Sequence, residues 1–314
     1  ASLQPDGQAA WPALSDLRGD LQIDRTSLQL RNIGARVDGV PQLRILKGEA
    51  RIPDMSQGAR VLTDLQLGGP LDELLTGLVR ASPLDAMLGG VLSQARAAGQ
   101  AEVQLGLDLP LENLERSAVR GQIKLAGNEL LLAPQLPRLT RARGTVHFSE
   151  QGFALAGVQG RLLGGDVRAE GGTIPLPGAA AGAAPRLRVQ GTLTAQGLRQ
   201  ESQLGSVASL ARRMTGSTGY TAEFGLRQGV PEFQFNSSLQ GLALDLPAPL
   251  SKPADVALPL RLQAALMSPE STGSAQAGDA RRQDLLRLDL GRLLALRYVR
   301  QHAEGGVRVL RGAI

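Results

Sequence analysis

Ala101-Glu-Val-Gln-Leu-Gly-Leu-Asp-Leu109 decides how this chain folds. Val103, Leu105, Leu107 and Leu109 alternate with Glu102, Gln104, Gly106 and Asp108. A period of two sends the four aliphatic side chains to one face of a strand and the polar set to the other. The same alternation returns at Ile123/Leu125, Leu130/Leu132, Val146/Phe148, Phe153/Leu155 and Val167/Ala169. Between the runs stand Pro110, Gly127-Asn128, Pro134, Pro137, Gly144, Gly152 and Gly164-Gly165. The pattern is a ladder of short antiparallel strands, oily on one face and wet on the other.

Strand signals precede this stretch at Leu21/Ile23, Leu28/Leu30, Leu43/Ile45, Ala50/Ile52 and Leu65/Leu67. Two helices are expected within 70–97. The first runs from Pro70 to Ala81, with Asp72 and Glu73 in its first turn, where the helix dipole favours them. The second begins with Ser82 as N-cap and Pro83 at the first helical position. A third helix is expected over 201–215, stopped by Arg212, Arg213 and Gly216, with Thr215–Gly219 as the loop after it. Alternating runs resume at Leu286/Leu288/Leu290 and Leu294/Leu296/Tyr298, where Gly291 between them favours a hairpin. Altogether roughly fifteen to nineteen strands are expected, and an antiparallel sheet that long must curl or split.

A repeat is visible. The segment Arg18 to Gly39 aligns without gaps on Arg143 to Gly164, and Ala101-Glu-Val matches Ala222-Glu-Phe. Stacked units of several strands plus a helix bury a continuous face only by adding neighbours. The expected organisation is a first β unit over 1–172, an Ala/Pro/Gly linker over 173–185, and a second β unit over 186–314 carrying a flexible loop at 268–282.

Composition narrows the chemistry. Cysteine is absent, which removes disulfides, thiol catalysis and cysteine-ligated zinc. The net charge is +5, with three lysines among 34 basic residues, scattered singly rather than in runs. Nucleic-acid binding is therefore not expected. Aromatics make up 3% of the chain, so the oily face is mostly leucine, valine, isoleucine and alanine, a surface that suits acyl chains. No apolar stretch of about 18 residues exists to span a bilayer. Ala1–Asp6 lacks the basic and apolar parts of a signal peptide, so the chain is expected to be cytoplasmic or a piece of a longer exported protein.

No catalytic constellation stands out. His147 lies on the polar side of its strand and His302 in a turn beside Glu304, neither with a partner at metal spacing. Thr215–Gly219 lacks the strand that a nucleophile elbow needs before it. No enzyme, cofactor or metal is expected. On periodicity alone, the oily face either packs on a second sheet or stays open as a groove.

The order of the remaining features carries a resemblance. Trp11-Pro12-Ala-Leu14, Leu67-Gly-Gly-Pro-Leu71, Ser82-Pro-Leu84, Leu107-Asp-Leu-Pro-Leu111, Gly127-Asn-Glu-Leu-Leu-Leu132, Leu136-Pro-Arg-Leu139 and Arg143-Gly-Thr-Val-His-Phe148 follow one another as in the YhdP branch of the AsmA-like proteins. The chain resembles the middle region of that family, most clearly over 10–172. The resemblance implies a mainly β fold, a long curled antiparallel sheet forming a repeating β-groove, with a few amphipathic helices. It further implies a periplasmic segment of an inner-membrane-anchored bridge that conducts phospholipid between inner and outer membranes. The partners would be phospholipid acyl chains and, through the full-length protein, the two membrane surfaces. The expected groove lining is Val103, Leu105, Leu107, Leu109, Ile123, Leu125, Val146, Phe148, Phe153 and Leu155, then Tyr220, Phe224, Phe233 and Phe235. The alternative is a non-catalytic envelope scaffold whose oily face is filled by its own residues.

Overall fold

A computed structural model describes residues 13–56, 58–80, 92–113, 116–134, 136–176, 186–227, 230–266, 283–303 and 306–313. The described residues form one antiparallel sheet of eighteen strands, within the expected range. Two compact units divide the chain, Ala1–Gly160 and Arg161–Ile314.

The first unit carries β1 (Leu14–Asp24), β2 (Ser27–Val37), β3 (Arg44–Ile52), β4 (Arg60–Pro70), β5 (Arg96–Ala98), β6 (Gln100–Pro110), β7 (Ala118–Leu131), β8 (Leu139–Ser149) and most of β9 (Gly152–Leu162). Strands pair with their neighbours in sequence, except that β4 pairs β6 and the short β5 pairs β7. Register turns the alternation of each strand into rows across the sheet. Ile45, Leu67, Val103, Ile123 and Val146 stand directly opposite one another in succession, as do Leu65, Leu105, Gly121 and Phe148. The intervening rows are polar: Gln66, Gln104, Gln122 and His147 line up on the other face.

Some strands change hydrophobic phase part-way, and a bulge absorbs each change. In β2, Leu28 and Leu30 are followed by Ile33, Ala35 and Val37, one residue out of step. Asn32 between them takes φ 53°, a left-handed conformation that asparagine tolerates better than most residues. The correction keeps Ile33, Ala35 and Val37 in the core. In β7 the expected turn at Gly127-Asn128 is instead a bulge within one continuous strand. Asn128 is buried; its side chain accepts from Ala126 N and donates to Ala98 O and Gln100 O, supplying the bonds the ladder loses there. Gly144, also read as a break, lies inside β8, where its φ of 128° and the backbone of Val158, 2.8 Å from where a Cβ would sit, exclude a side chain.

The first expected helix is present: α1 (Leu71–Glu73) runs on as a π-helix over Leu74–Arg80. Leu74, Leu75 and Val79 pack on Ile33, Ile45, Leu67 and Val103, forming the main core. Glu73 Oε2 accepts from the amides of Gln42 and Leu43 at 2.9 and 3.0 Å, tying the helix to the β2–β3 connection. Of the second expected helix, Ser82 and Pro83 lie outside the described residues, and its end is a turn leading into β5.

The second unit continues with β10 (Gly165–Gly172), β11 (Arg186–Thr194), β12 (Met214–Arg227), β13 (Val230–Ser237), β14 (Leu242–Leu244), β15 (Leu260–Leu266), β16 (Gln283–Leu290), β17 (Leu294–Ala303) and β18 (Gly306–Ala313). Gly171-Gly172 ends β10. The expected β16–β17 hairpin is there. The helix expected over 201–215 is displaced toward the N-terminus. It is a chain of short pieces, α2 (Ala195–Gln200), a 3₁₀ turn, α3 (Ser206–Leu210) and a second 3₁₀ turn ending at Arg213. Thr194 sets the start, its hydroxyl accepting from Gly197 N at 2.9 Å. Met214 to Gly216 pair with Leu242 to Leu244, so Thr215–Gly219 is strand and not loop.

The repeat read from sequence recurs in the backbone. Asp16 and Arg141 have φ 51° and 54°, Asn32 and Gly157 53° and 61°, Gly39 and Gly164 both 81°. Each pair has the spacing of the sequence repeat. Helix α1 after β4 and α2 after β11 stand in corresponding places.

Candidate functional site

The feature to be explained is the apolar face. In the first unit, α1 packs at the end of the sheet where β4 finishes and β6 begins. The remote end is less covered. Val61, Thr63, Leu65 and Leu109 are only half-buried there, and Leu21 and Ile23 on β1 are 60% and 62% exposed. These two share rows with Leu30 and Leu28, so the apolar surface continues onto them.

In the second unit three rows cross seven strands. The central one is Ala169, Val189, Ala222, Phe235, Leu262, Leu288 and Leu296. Beside it run Leu187, Phe224, Phe233, Ala264, Leu286 and Tyr298. On the other side Gly191, Tyr220, Ser237, Leu260, Leu290 and Leu294 complete the set. Helix α2 packs at the Leu193 end, with Ala195 and Leu198 buried. Away from it Phe233, Phe235, Leu262, Ala264, Leu286, Leu288, Leu296 and Tyr298 are all half-buried, and Phe224 is 45% exposed. The aromatic pairs brace the face: Tyr220 stacks on Phe235 with ring centroids 5.4 Å apart, and Phe224 meets Phe233 at 4.7 Å.

The fourteen residues expected to line a groove thus fall into two groups. Val103, Leu105, Leu107, Leu125 and Tyr220 are buried, most of them under the protein's own side chains in the two cores of the first unit. Leu109, Ile123, Val146, Phe148, Phe153, Leu155, Phe224, Phe233 and Phe235 keep part of their surface in the open. Sequence reading did not single out as lining Leu262, Ala264, Leu286, Leu288, Leu296 and Tyr298, which the register sets in the same rows as Phe233 and Phe235.

Polar groups on or beside this face are few. Tyr220 Oη is buried with no hydrogen-bond partner, and burial pushes its pKa up to about 12. Thr218 and Ser237 hydroxyls lie 3.3 Å apart, and Ser237 donates to Gly219 O. Lys252, in the loop after β14, donates to Pro253 O and Val256 O; burial lowers its pKa against the opposing pull of Asp255. A cavity of about 720 Å³ in the first unit is lined by charged side chains, among them Glu49, Arg51, Asp64, Asp108, Arg120 and Glu150, together with Leu62, Leu107 and Val119. Among the described residues no three His, Asp or Glu side chains gather as metal ligands, and no helix is long and apolar enough to cross a membrane.

The family model for YhdP protein matches residues 4–314. The chain belongs to the YhdP family. A curated relative in that family, the intermembrane phospholipid transporter YhdP of Escherichia coli (strain K12), is 25% identical over 284 residues. That match covers 88% of this chain and 21% of the relative, so the chain spans about a fifth of that YhdP protein's length. No solved structure matches. Membership in the YhdP family bears out the resemblance read from the ordered motifs.

Proposed function

We propose that this chain is a segment of a periplasmic, inner-membrane-anchored bridge that holds phospholipid acyl chains on its apolar face, so that lipid can pass between inner and outer membranes. The single observation that carries this reading is the row structure of the second unit. Leucine, alanine and phenylalanine side chains continue across seven strands and stay half-open beyond α2. Apolar contact is worth about 25 cal/mol per Å² removed from water, and neighbouring rows are alike. A chain held there loses little by moving sideways. The relative's activity as a phospholipid transporter agrees with this use of the surface.

The covered part of the first unit favours a second reading, a scaffold with a self-filled core, since α1 occupies the place an acyl chain would take. Native mass spectrometry of the chain purified without detergent separates the two. The groove reading expects co-purified phospholipid, reduced several-fold by Leu262→Glu in protein that still shows a β-sheet spectrum. Lipid-free wild-type protein, or undiminished lipid in the folded variant, contradicts it.

A further inference from the structure

Along the regular stretches of the described strands, charged side chains occupy the polar face with one exception. In β16 the apolar series Leu290, Leu288, Leu286 ends in Asp284, and in β17 the series Leu294, Leu296, Tyr298 ends in Arg300. The two stand directly opposite each other in an unbroken register, so both project from the apolar face. Arg300 Nε donates to Asp284 Oδ1 at 2.9 Å while Nη2 donates to Oδ2. Asp284 is 6% exposed, whereas a quarter of the Arg300 side chain, 25%, remains accessible.

Packing does not explain the pair. Desolvating two charges is costly, and apolar residues of similar shape would close the hairpin as well. Its position is informative. It occupies the next row out from Leu286 and Tyr298, at the strand end remote from Leu193 and α2. An amphiphile whose tails lie on the rows would have its polar end where the rows stop. The guanidinium carries five N–H donors in a rigid fork. Asp284 engages one edge and fixes the plane, leaving donors at the accessible rim.

We propose that Arg300, oriented by Asp284, contacts the headgroup phosphate of a phospholipid whose acyl chains lie on the second unit's apolar face. The inference rests on the groove reading above. It adds which rim the headgroup follows and which residue meets it. Arg60 and Asp108 form the same forked pair, at 3.0 and 2.6 Å, on the polar face of the first unit, and supply the comparison.

The test uses the full chain incubated with vesicles of dioleoyl-phosphatidylglycerol and dioleoylglycerol in equal amounts, the bound lipids being counted by native mass spectrometry. The two share their tails and differ in the phosphate. Wild type should retain the phospholipid in preference by about tenfold, the size of one charge-assisted hydrogen bond. Arg300→Gln/Asp284→Asn, which keeps a neutral hydrogen-bonded pair, should bring the ratio near one with total lipid retained. Arg60→Gln/Asp108→Asn should leave it unchanged. A folded Arg300→Gln/Asp284→Asn protein with an unaltered ratio overturns the inference and leaves the groove reading standing. Failure of wild type to hold either lipid removes the groove reading and the inference with it. Should the double variant not fold, Asp284→Asn alone decides. Without the orienting carboxylate it should show a smaller rise in melting temperature with phosphatidylglycerol than wild type shows, and an equal or larger rise counts against the inference. Inorganic phosphate in excess should not reproduce the wild-type rise; if it does, Arg300 is a general anion site and the headgroup assignment is wrong.

Discussion

Tyr220 is the residue whose environment is most at odds with its chemistry. Its ring stacks on Phe235 and covers Gly191, while its hydroxyl is buried without a partner. A stranded hydroxyl costs about 1–3 kcal/mol, so Tyr220→Phe should leave stability unchanged or raise it by up to about that much in urea unfolding at pH 8. The raised pKa gives a second signature. Because the folded-state value lies above the unfolded one, the folded protein keeps a proton that the unfolded chain releases. Stability is therefore lost as pH rises from 10 toward 12. Wild type should lose stability across that range more steeply than Tyr220→Phe. Asn128 is the opposite case, a buried amide with all three of its bonds made within the sheet. Asn128→Leu should cost about 2–4 kcal/mol, measured the same way, since it strands the Ala126 amide and the carbonyls of Ala98 and Gln100.

At the scale of elements, helix α1 and its π-helical extension divide the first unit's apolar face into a covered end and an open one. Gly77 allows the approach, for a Cβ there would lie 2.3 Å from Val40 Cγ1. Gly77→Val should therefore lower stability by about 1–3 kcal/mol through overpacking, read from the midpoint of urea unfolding. A comparable substitution at Gly58, where a side chain would meet nothing, costs only the backbone strain of its left-handed φ of 59°. Elements were legible in the sequence where their cause is local. The alternation of Leu65/Leu67 and of Val103 to Leu109 gave strands in the expected places, and so did the hairpin around Gly291. Where the cause lies across the sheet, local reading failed. Gly127-Asn128 looks like a turn until Ala98 O and Gln100 O are there to receive the asparagine. Thr215–Gly219 looks like a loop until Leu242 to Leu244 pair with its start. Burial of the groove candidates was hidden for the same reason: Leu105 and Phe148 follow the same alternation, yet Leu105 is buried and Phe148 is not.

At the scale of the whole chain, the repeat is the organising fact. Left-handed backbone recurs with the spacing of the sequence repeat at Asp16/Arg141, Asn32/Gly157 and Gly39/Gly164. Each occurrence puts a hairpin and a helix in the same order along the sheet, so the covered and open parts of the apolar face recur too. The proposed function puts acyl chains on the open part. It is tested most directly by a photoreactive amino acid placed at Phe233 and, separately, at Gln234, adjacent residues that project from opposite faces of β13. With phospholipid vesicles present, illumination should cross-link lipid at position 233 and little or none at 234. Equal labelling at the two positions, or none at 233, would contradict the account.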